Sequence, residues 1–252
     1  MTRQLDEQIA GRFPVGQRLR VLDVGMGRGT QALRLARAGH AVTGVERDPK
    51  RIAVAREALA AQPEGVRGRV RVVEGDGRDT GVHFLPGSFD LVLCHGVLMH
   101  VEEPDALLAG LARMLAPGGL LSLLVRNGDA PALRPALTGD WAGTLAAFGA
   151  PAHAPRVPVP SECPEAGESP SRPGPDVWAD RLGALTSTLA GIGAPLHTWY
   201  GVRVFTDLAA DGVPLPRTPQ DMVTLLAAED RASRTDPYRR VATLLHLCGV
   251  RG

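Results

Sequence analysis

Residues 18–127 predict an α/β fold built on a mostly parallel sheet. Short aliphatic runs, typical of buried strands, alternate with segments in which apolar residues recur at helical spacing. The strand segments are apolar at nearly every position, as expected when helices cover both faces of a sheet. Apolar residues make up 44% of the 252-residue chain and aromatic residues only 4%, so we expect a large core of Leu, Val and Ala.

The elements of this first half follow one another without long interruptions. Gly39 is placed to end the first helix, and Asp48 followed by a proline is placed to begin the second. The predicted elements are a strand at 18–25, a helix at 29–40, a strand at 41–46, a helix at 48–62, strands at 70–76 and 88–96, a helix at 104–115 and a strand at 119–127.

The second half is less regular. Residues 150–175 are rich in Pro, Gly and Ser, which predicts an irregular, partly mobile excursion. Beyond it the sequence predicts a helix at 176–194, a strand at 199–208, a helix at 219–234 and a largely extended segment at 238–250. The two late strands are expected to join the sheet.

Composition excludes several classes of protein. With 28 basic and 27 acidic residues, the chain has no global positive charge with which to grip nucleic acid. Cys94, Cys163 and Cys248 are far apart and form no C-x-x-C pair, so no zinc site, other metal site or disulfide framework is predicted. The N-terminus lacks the apolar core of a signal peptide, and no stretch is long enough to span a membrane, so a cytoplasmic location is expected.

The strongest local signal is a glycine-rich turn between the first strand and the first helix. Gly25, Gly27 and Gly29 allow a sharp bend and a close approach of a ligand to the free N–H groups of the helix. Thr30 stands where the dinucleotide fingerprint requires its last glycine. Asp23 would repel a pyrophosphate but attract an amino-acid ammonium group. The pattern therefore favours S-adenosylmethionine over a dinucleotide.

Two further acids lie at the ends of the next strands. Glu46 ends the second strand and is placed to accept both hydroxyls of a ribose, although it could simply pair with Arg47. Asp76, between two glycines, could accept the amino group of an adenine or could be an ordinary turn residue. Ligands of open α/β sheets bind at this edge, so we count Glu46, Arg47 and Asp76 among the cofactor-binding candidates.

Taken together, these segments resemble the class I S-adenosylmethionine-dependent methyltransferases. The resemblance rests on motifs that occur in order within residues 18–127: VLDVGMGRG, VTGVE, EGD, FDLVLCHGVLMHV and LAPGGLLSLLV. It implies a three-layer, Rossmann-like sandwich with a seven-stranded, mostly parallel sheet whose last strand is antiparallel. It also implies one domain over 1–252, with a cofactor-binding half at 18–127, a variable substrate or lid region at 128–198, and completing strands and a helix at 199–252.

Within that family, the chain is most similar to the bacterial tRNA 5-carboxymethoxyuridine methyltransferases, through YGVRVF and DPY as well as the motifs above. This implies an ester-forming transfer to a carboxylate on tRNA. It also implies that the cofactor site includes Gly25, Met26, Glu46, Gly77, Arg78 and His95. The chain departs from that pattern in two places. The family's N-terminal helix is expected to be largely missing, and the segment 150–175 is not basic.

An ionised carboxylate needs no general base, but it needs a cation to orient it. Arg203 is our candidate for that cation, with Tyr200, Tyr238 and Asn127 as further substrate-orienting candidates, and each of them could instead be structural. His95 could act as a base toward a different acceptor. The alternatives to a tRNA substrate are a small-molecule O-methyltransferase and a non-catalytic module that binds the cofactor.

Overall fold

The computed structural model describes residues 1–151, 154–161, 174–208 and 216–252. A seven-stranded sheet has the order β3-β2-β1-β4-β5-β9-β8, and β6 pairs with β7 in a separate two-stranded sheet. The strands are β1 Arg20–Val24, β2 Ala41–Glu46, β3 Val70–Glu74, β4 Phe89–His95, β5 Leu115–Arg126, β6 Arg156–Ser161, β7 Gly174–Asp180, β8 Leu196–Val202 and β9 Leu244–Val250.

Helices connect the strands and cover both faces of the large sheet. Single 3-10 turns occur at Gly77–Asp79, Leu98–His100 and Tyr238–Val241. The helices are α1 Thr2–Arg12, α2 Thr30–Arg37, α3 Pro49–Ala60, α4 Glu64–Arg67, α5 Thr80–His83, α6 Asp105–Met114, α7 Leu133–Leu137, α8 Trp141–Phe148, α9 Leu182–Gly191 and α10 Pro219–Ala232.

The sheet topology confirms the predicted fold class. Strands β1 to β5 are mutually parallel, whereas β9 lies antiparallel to both β5 and β8. The chain first runs from β1 outward to β3 and then returns to place β4 on the other side of β1. This reversal opens a crevice at the carboxyl ends of β1 and β4, where ligands of such sheets bind.

Two buried clusters lie on opposite faces of the sheet, and alternate residues of β4 contribute to each. Val92 and Cys94 belong to the cluster that contains the apolar residues of α6 and α9. Leu91 and Leu93 belong to the cluster beneath α1, α2 and α3. Because successive side chains of a strand point to opposite faces, a continuously apolar strand requires this three-layer arrangement.

The capping signals of the first half are confirmed. The Asp48 side chain accepts a hydrogen bond from the Lys50 backbone N–H and begins α3, with Pro49 as its first residue. Gly39 has a φ of 103°, a left-handed conformation that follows the last turn of α2. Helix α2 itself begins after Gly29, whose φ is 79°.

The prediction that the N-terminal helix is largely missing is wrong. Residues Thr2–Arg12 form α1, and Leu5 is completely buried against the sheet. Leu5 and Ile9 are four residues apart and lie on one helix face, which is the signal that the sequence analysis overlooked.

Corrections also apply to the second half. The predicted helix at 176–194 begins only at Leu182, because 174–180 form β7 and pair with part of the segment expected to be irregular. The strand predicted at 199–208 is β8, which ends at Val202, and the extended segment at 238–250 is a 3-10 turn followed by β9. Tertiary pairing, which local composition does not report, decides these boundaries.

The cysteines, the Pro-rich segment and the hydrophobicity of the helices were also addressed by the sequence predictions. Cys94 and Cys248 are buried free thiols, and Cys163 lies outside the described residues. Residues 162–173 of the Pro-rich segment also lie outside them. Among the helices that the structure describes, none combines the length and the hydrophobicity needed to cross a lipid bilayer.

Candidate active site

A cleft of about 530 Å³ lies at the carboxyl ends of β1, β2, β3 and β4. Four strand ends supply its walls, so backbone geometry fixes most of the groups that face it. The lining includes seven predicted cofactor-site residues: Gly25, Glu46, Arg47, Asp76, Gly77, Arg78 and His95.

The glycine turn needs residues without side chains. Gly25 has a φ of 69°, and a Cβ atom there would lie 2.3 Å from a Val97 methyl group. Gly27 has a φ of 56° and faces open space, so a side chain there would project into the region that a ligand can enter. Gly25 is therefore required by the fold, and Gly27 by the room beside it.

Glu46 ties the glycine turn to the end of β2. Its carboxylate accepts hydrogen bonds from the backbone N–H groups of Gly27 at 2.8 Å, Arg47 at 2.9 Å and Asp48 at 3.0 Å. The side chain is 5% exposed. In the structure Glu46 thus bonds the backbone rather than the guanidinium of Arg47, and its role toward a ribose stays a prediction.

Asp23 is a buried carboxylate with an unpartnered oxygen. It is 3% exposed, and its Oδ2 atom has no hydrogen-bond partner among the described residues. Burial, followed by the nearby charge of Glu46, raises the pKa of Asp23 to about 7. A cation bound nearby would favour the ionised form, so Asp23 fits an ammonium or sulfonium group better than an anion.

Asp76 has a different environment from Asp23. Hydrogen bonds from the Arg78 guanidinium, at 2.8 and 3.0 Å, lower the pKa of Asp76 to about 2. The Arg47 guanidinium lies 3.8 Å from the same carboxylate. Asp76 is therefore ionised at neutral pH and is held by two arginines at the rim of the cleft. Its contact with an adenine stays a prediction.

Four predicted cofactor residues do not line the cleft: Asp23, Met26, Gly27 and Gly29. Met26 is buried, and its thioether occupies the space that a Cβ atom on Gly44 would need. Its packing position explains why the turn carries a flexible apolar residue there.

His95 ends β4 and lines the cleft. Its Nε2 atom lies 2.9 Å from the Ser122 hydroxyl, whereas Nδ1 is buried without a partner among the described residues. Burial, reinforced by the positive charges of Arg34 and the amino terminus, lowers the pKa of His95 to about 4. The imidazole is consequently neutral at physiological pH.

A second cavity, of about 610 Å³, lies beyond the end of β5. Its walls come from α7, α8, the β6–β7 hairpin and the turn before β9, and alanine, proline, valine and leucine side chains predominate. The charged residues that line it are Arg126, Arg134, Asp140 and Arg156.

Arg156 connects the two cavities, and the sequence analysis assigned it no role. It lines the second cavity, yet its guanidinium donates to the backbone carbonyls of Leu98, Val101 and Glu102. Val101 and Glu102 line the cofactor cleft. Arg156 also pairs with Asp180 at 2.6 Å, and both side chains are buried. Arg156 of the hairpin thus lies at the junction of the two spaces.

Three of the substrate-orienting candidates line neither cavity. Arg203 is mostly exposed and lies 3.5 Å from Asp207. Tyr200 is 4% exposed, and its hydroxyl accepts a hydrogen bond from Gln8 of α1 at 2.7 Å. Tyr238 is about half exposed and packs against another aromatic ring. Strand β8 lies at the edge of the sheet, away from the cleft.

Asn127 is the substrate-orienting candidate that lines the second cavity. Its side-chain amide donates to the backbone carbonyls of Arg240 and Ala242 at 2.8 Å each, and its oxygen accepts from the Asp129 N–H. The two bonds to the carbonyls of Arg240 and Ala242 hold the turn before β9 against the end of β5. Asn127 therefore shapes the cavity wall.

A family model described as "Methyltransferase domain" matches residues 22–123. This range contains the glycine turn, Glu46, Asp76 and His95, and it ends within β5. The match thus covers the cofactor cleft and stops before the segments that form the second cavity.

Known proteins with similar sequences differ in the acceptors that their names give. The tRNA 5-carboxymethoxyuridine methyltransferase of Escherichia coli K12 is 33% identical over 55% of this chain and 51% of that protein. The ubiquinone biosynthesis O-methyltransferase of Xanthomonas euvesicatoria is 38% identical over 48% of each. The chain spans about half the length of these curated relatives.

A solved S-adenosylmethionine-dependent methyltransferase from Mesorhizobium loti shares the fold. It is 18% identical, with a TM-score of 0.60 over 97% of this chain and 96% of that one. The family match thus covers the part of the chain that forms the cleft, and the likeness to the solved structure shows the fold. The unpartnered Asp23 carboxylate and the open space beside Gly27 fit the cationic amino-acid portion of S-adenosylmethionine.

Proposed function

We propose that the protein methylates a small molecule with a largely apolar body. The observation that carries this proposal is the second cavity, whose 610 Å³ falls within the range of about 300–1,000 Å³ typical of small-molecule sites. Apolar side chains predominate in its walls, and Arg156 reaches from it to the cofactor cleft. A molecule in this cavity would therefore lie next to the methyl donor.

When bound, S-adenosylmethionine supplies a methyl group on a positively charged sulfur atom. The residues of the cleft have to hold the donor and align the acceptor, because alignment and proximity are the main contributions of a protein to such a transfer. In this proposal Asp23 attracts the cationic portion, Glu46 holds the glycine turn and accepts from the ribose, and Asp76 lies at the adenine end. The Arg156–Asp180 pair keeps the acceptor cavity open beside them.

A tRNA carboxylate is the second candidate acceptor. The match to the Escherichia coli tRNA methyltransferase supports it, together with the YGVRVF and DPY segments. Against it stand the near-neutral charge of the chain and the position of Arg203 outside both cavities. Affinity for RNA depends largely on neutralising phosphates, and apart from Arg126, Arg134 and Arg156 the second cavity is lined mainly by apolar residues.

A transfer assay separates the candidates. The protein is incubated with methyl-labelled S-adenosylmethionine and either a low-molecular-mass bacterial extract or tRNA that lacks the ester. We expect label in the small-molecule fraction and none in tRNA. Label in tRNA would replace the first candidate with the second. Binding of the cofactor without transfer to either fraction would favour the non-catalytic module.

A further inference from the structure

Four side chains, three of them buried, form a continuous line of hydrogen bonds that leads away from the cofactor cleft. His95 Nε2 lies 2.9 Å from Ser122 Oγ, which lies 2.8 Å from His246 Nε2. His246 Nδ1 lies 3.2 Å from Gln4 Oε1 on α1. Ser122 and His246 are completely buried, and Gln4 is 3% exposed.

The far end of the line sets the direction of every hydrogen bond. Gln4 Nε2 donates to the Gly201 carbonyl at 3.5 Å, and a carbonyl only accepts, so Oε1 of Gln4 is the atom that faces His246. His246 Nδ1 must then carry the proton. Burial holds the pKa of His246 well below its usual value, so the ring is neutral and its Nε2 atom is an acceptor.

The same reasoning passes through the serine to the cleft. Because His246 Nε2 accepts, the Ser122 hydroxyl donates its proton toward His246 and offers a lone pair to His95. His95 Nε2 must therefore carry a proton. The neutral ring then has its lone pair on Nδ1, which is buried, has no partner among the described residues, and belongs to a residue that lines the cleft.

We infer that this line of hydrogen bonds makes His95 Nδ1 the acceptor for a proton-bearing nucleophile, a hydroxyl or an amine, on the molecule that is methylated. The inference rests on the proposed function and adds the chemical class of the reacting group. An ionised carboxylate would bring lone pairs against the lone pair of Nδ1, whereas a hydroxyl or amine donates to it. Ser122, His246 and Gln4 are positioning residues that act through His95.

Asp23 is less suited than His95 to accept a hydrogen bond from the group that is methylated. It lies on the strand next to His95 and also has a buried, unpartnered oxygen, but it is a carboxylate and suits the cationic portion of the methyl donor. A neutral imidazole nitrogen, by contrast, suits a neutral donor. Asp23 Oδ2 and His95 Nδ1, both unpartnered among the described residues, thus match the two partners of the reaction.

Nitrogen NMR of histidine-labelled protein tests the tautomers without an acceptor. We expect neutral His95 protonated on Nε2 and neutral His246 protonated on Nδ1, neither titrating between about pH 5.5 and 8. In Ser122→Ala the preference of His95 for its Nε2–H form should fall by about tenfold, since one hydrogen bond is removed. Ser122→Thr, which keeps the hydroxyl, should restore the preference of His95 for its Nε2–H form. Gln4→Leu should weaken the preference of His246 for its Nδ1–H form. A His95 protonated on Nδ1, or unchanged by Ser122→Ala, would overturn the inference.

Ligand titrations then test what Nδ1 binds. S-adenosylhomocysteine alone should leave the His95 Nδ1 signal in place, and phenol added to that complex should shift it, whereas benzoate should not. A shift with S-adenosylhomocysteine alone would assign Nδ1 to the cofactor and overturn the inference. So would an equal or larger shift with benzoate, or no shift with saturating phenol. Calorimetry on the same samples reports cofactor binding separately, so failure of the proposed function is distinguishable.

Discussion

The two cavities of this protein differ in what builds their walls. The cofactor cleft is formed by the ends of four parallel strands and by backbone N–H groups that Glu46 and Asp76 hold in place. The second cavity is formed by short helices, a hairpin and turns that follow β5, and apolar side chains predominate in it. Strand register fixes the first, whereas the second depends on how separate segments pack against one another.

This difference shows where the fold leaves room for variation. A cleft built from strand ends cannot change without changing the sheet, so it suits the common methyl donor. A cavity built from connecting segments can change its shape while the sheet is retained, and in the proposed function it suits an acceptor that differs between related proteins. The buried Arg156–Asp180 pair is the contact that joins the variable part to the constant part.

The largest expected effect on cofactor binding concerns the glycine turn. Asparagine tolerates the left-handed conformation of Gly27, but its side chain would fill the open space beside the turn. We expect Gly27→Asn to weaken S-adenosylmethionine binding by more than about 100-fold, a loss of about 2.7 kcal/mol, measured by calorimetry.

Gly16→Asn is the matched control for Gly27→Asn. Gly16 has a φ of 82°, also faces open space, and lies in the turn before β1. The two variants should show similar thermal stability, with cofactor affinity lost only in the first. If Gly27→Asn keeps its affinity for S-adenosylmethionine, the cofactor does not bind at this turn.

The next effect tests the ion pair between Arg156 and Asp180, which lies between the two cavities. Arg156→Ala leaves the Asp180 carboxylate buried without its partner, which costs about 3–5 kcal/mol when a buried pair is broken. We expect that loss in the free energy of unfolding, measured with urea. The exposed Arg71→Ala is the control and should change it by less than about 0.5 kcal/mol. An equal, small loss in both variants would show that the hairpin is not held by Arg156.

A pH effect of intermediate size is expected within the cofactor cleft. Burial raises the pKa of Asp23 to about 7, and only its ionised form attracts a cation. Affinity for S-adenosylmethionine should therefore fall as the pH decreases below 7, approaching about tenfold per pH unit, and binding at pH 6.5 should release protons. Calorimetry in buffers of different ionisation enthalpy measures both. Asp23→Asn should abolish this dependence, and a dependence that persists in the variant would assign it to another group.

The smallest effect is expected at Arg203. It has a φ of 58°, unusual for a residue other than glycine, and its ion pair with Asp207 is exposed. Arg203→Gly should raise the free energy of unfolding by up to about 1 kcal/mol because glycine adopts this conformation without strain. Cofactor affinity and transfer to the acceptor should stay within about twofold of the wild type. A large loss of transfer alone would return Arg203 to the substrate-orienting role first expected of it.

The sequence predicts the two regions unequally well for a physical reason. Strand ends, Gly25 and the Asp48 cap are local features whose meaning depends on a few neighbours, so the order of elements up to β5 could be predicted. Arg156 and Asp180 acquire their role only when two strands pair and dock against the loop at Leu98, and nothing local marks that contact. Gln4 and His246 are 242 residues apart, so their hydrogen bond could not be foreseen.

The central claim is that the cofactor binds in the cleft at the strand ends and not in the second cavity. It is tested most directly by titrating S-adenosylhomocysteine into isotopically labelled protein and following the backbone amide signals. We predict large shifts at Gly25, Gly27, Glu46 and Asp76. We predict small shifts at Ala130, Ala146, Val157 and Val159. The largest shifts in the second group, with the first unchanged, would contradict it.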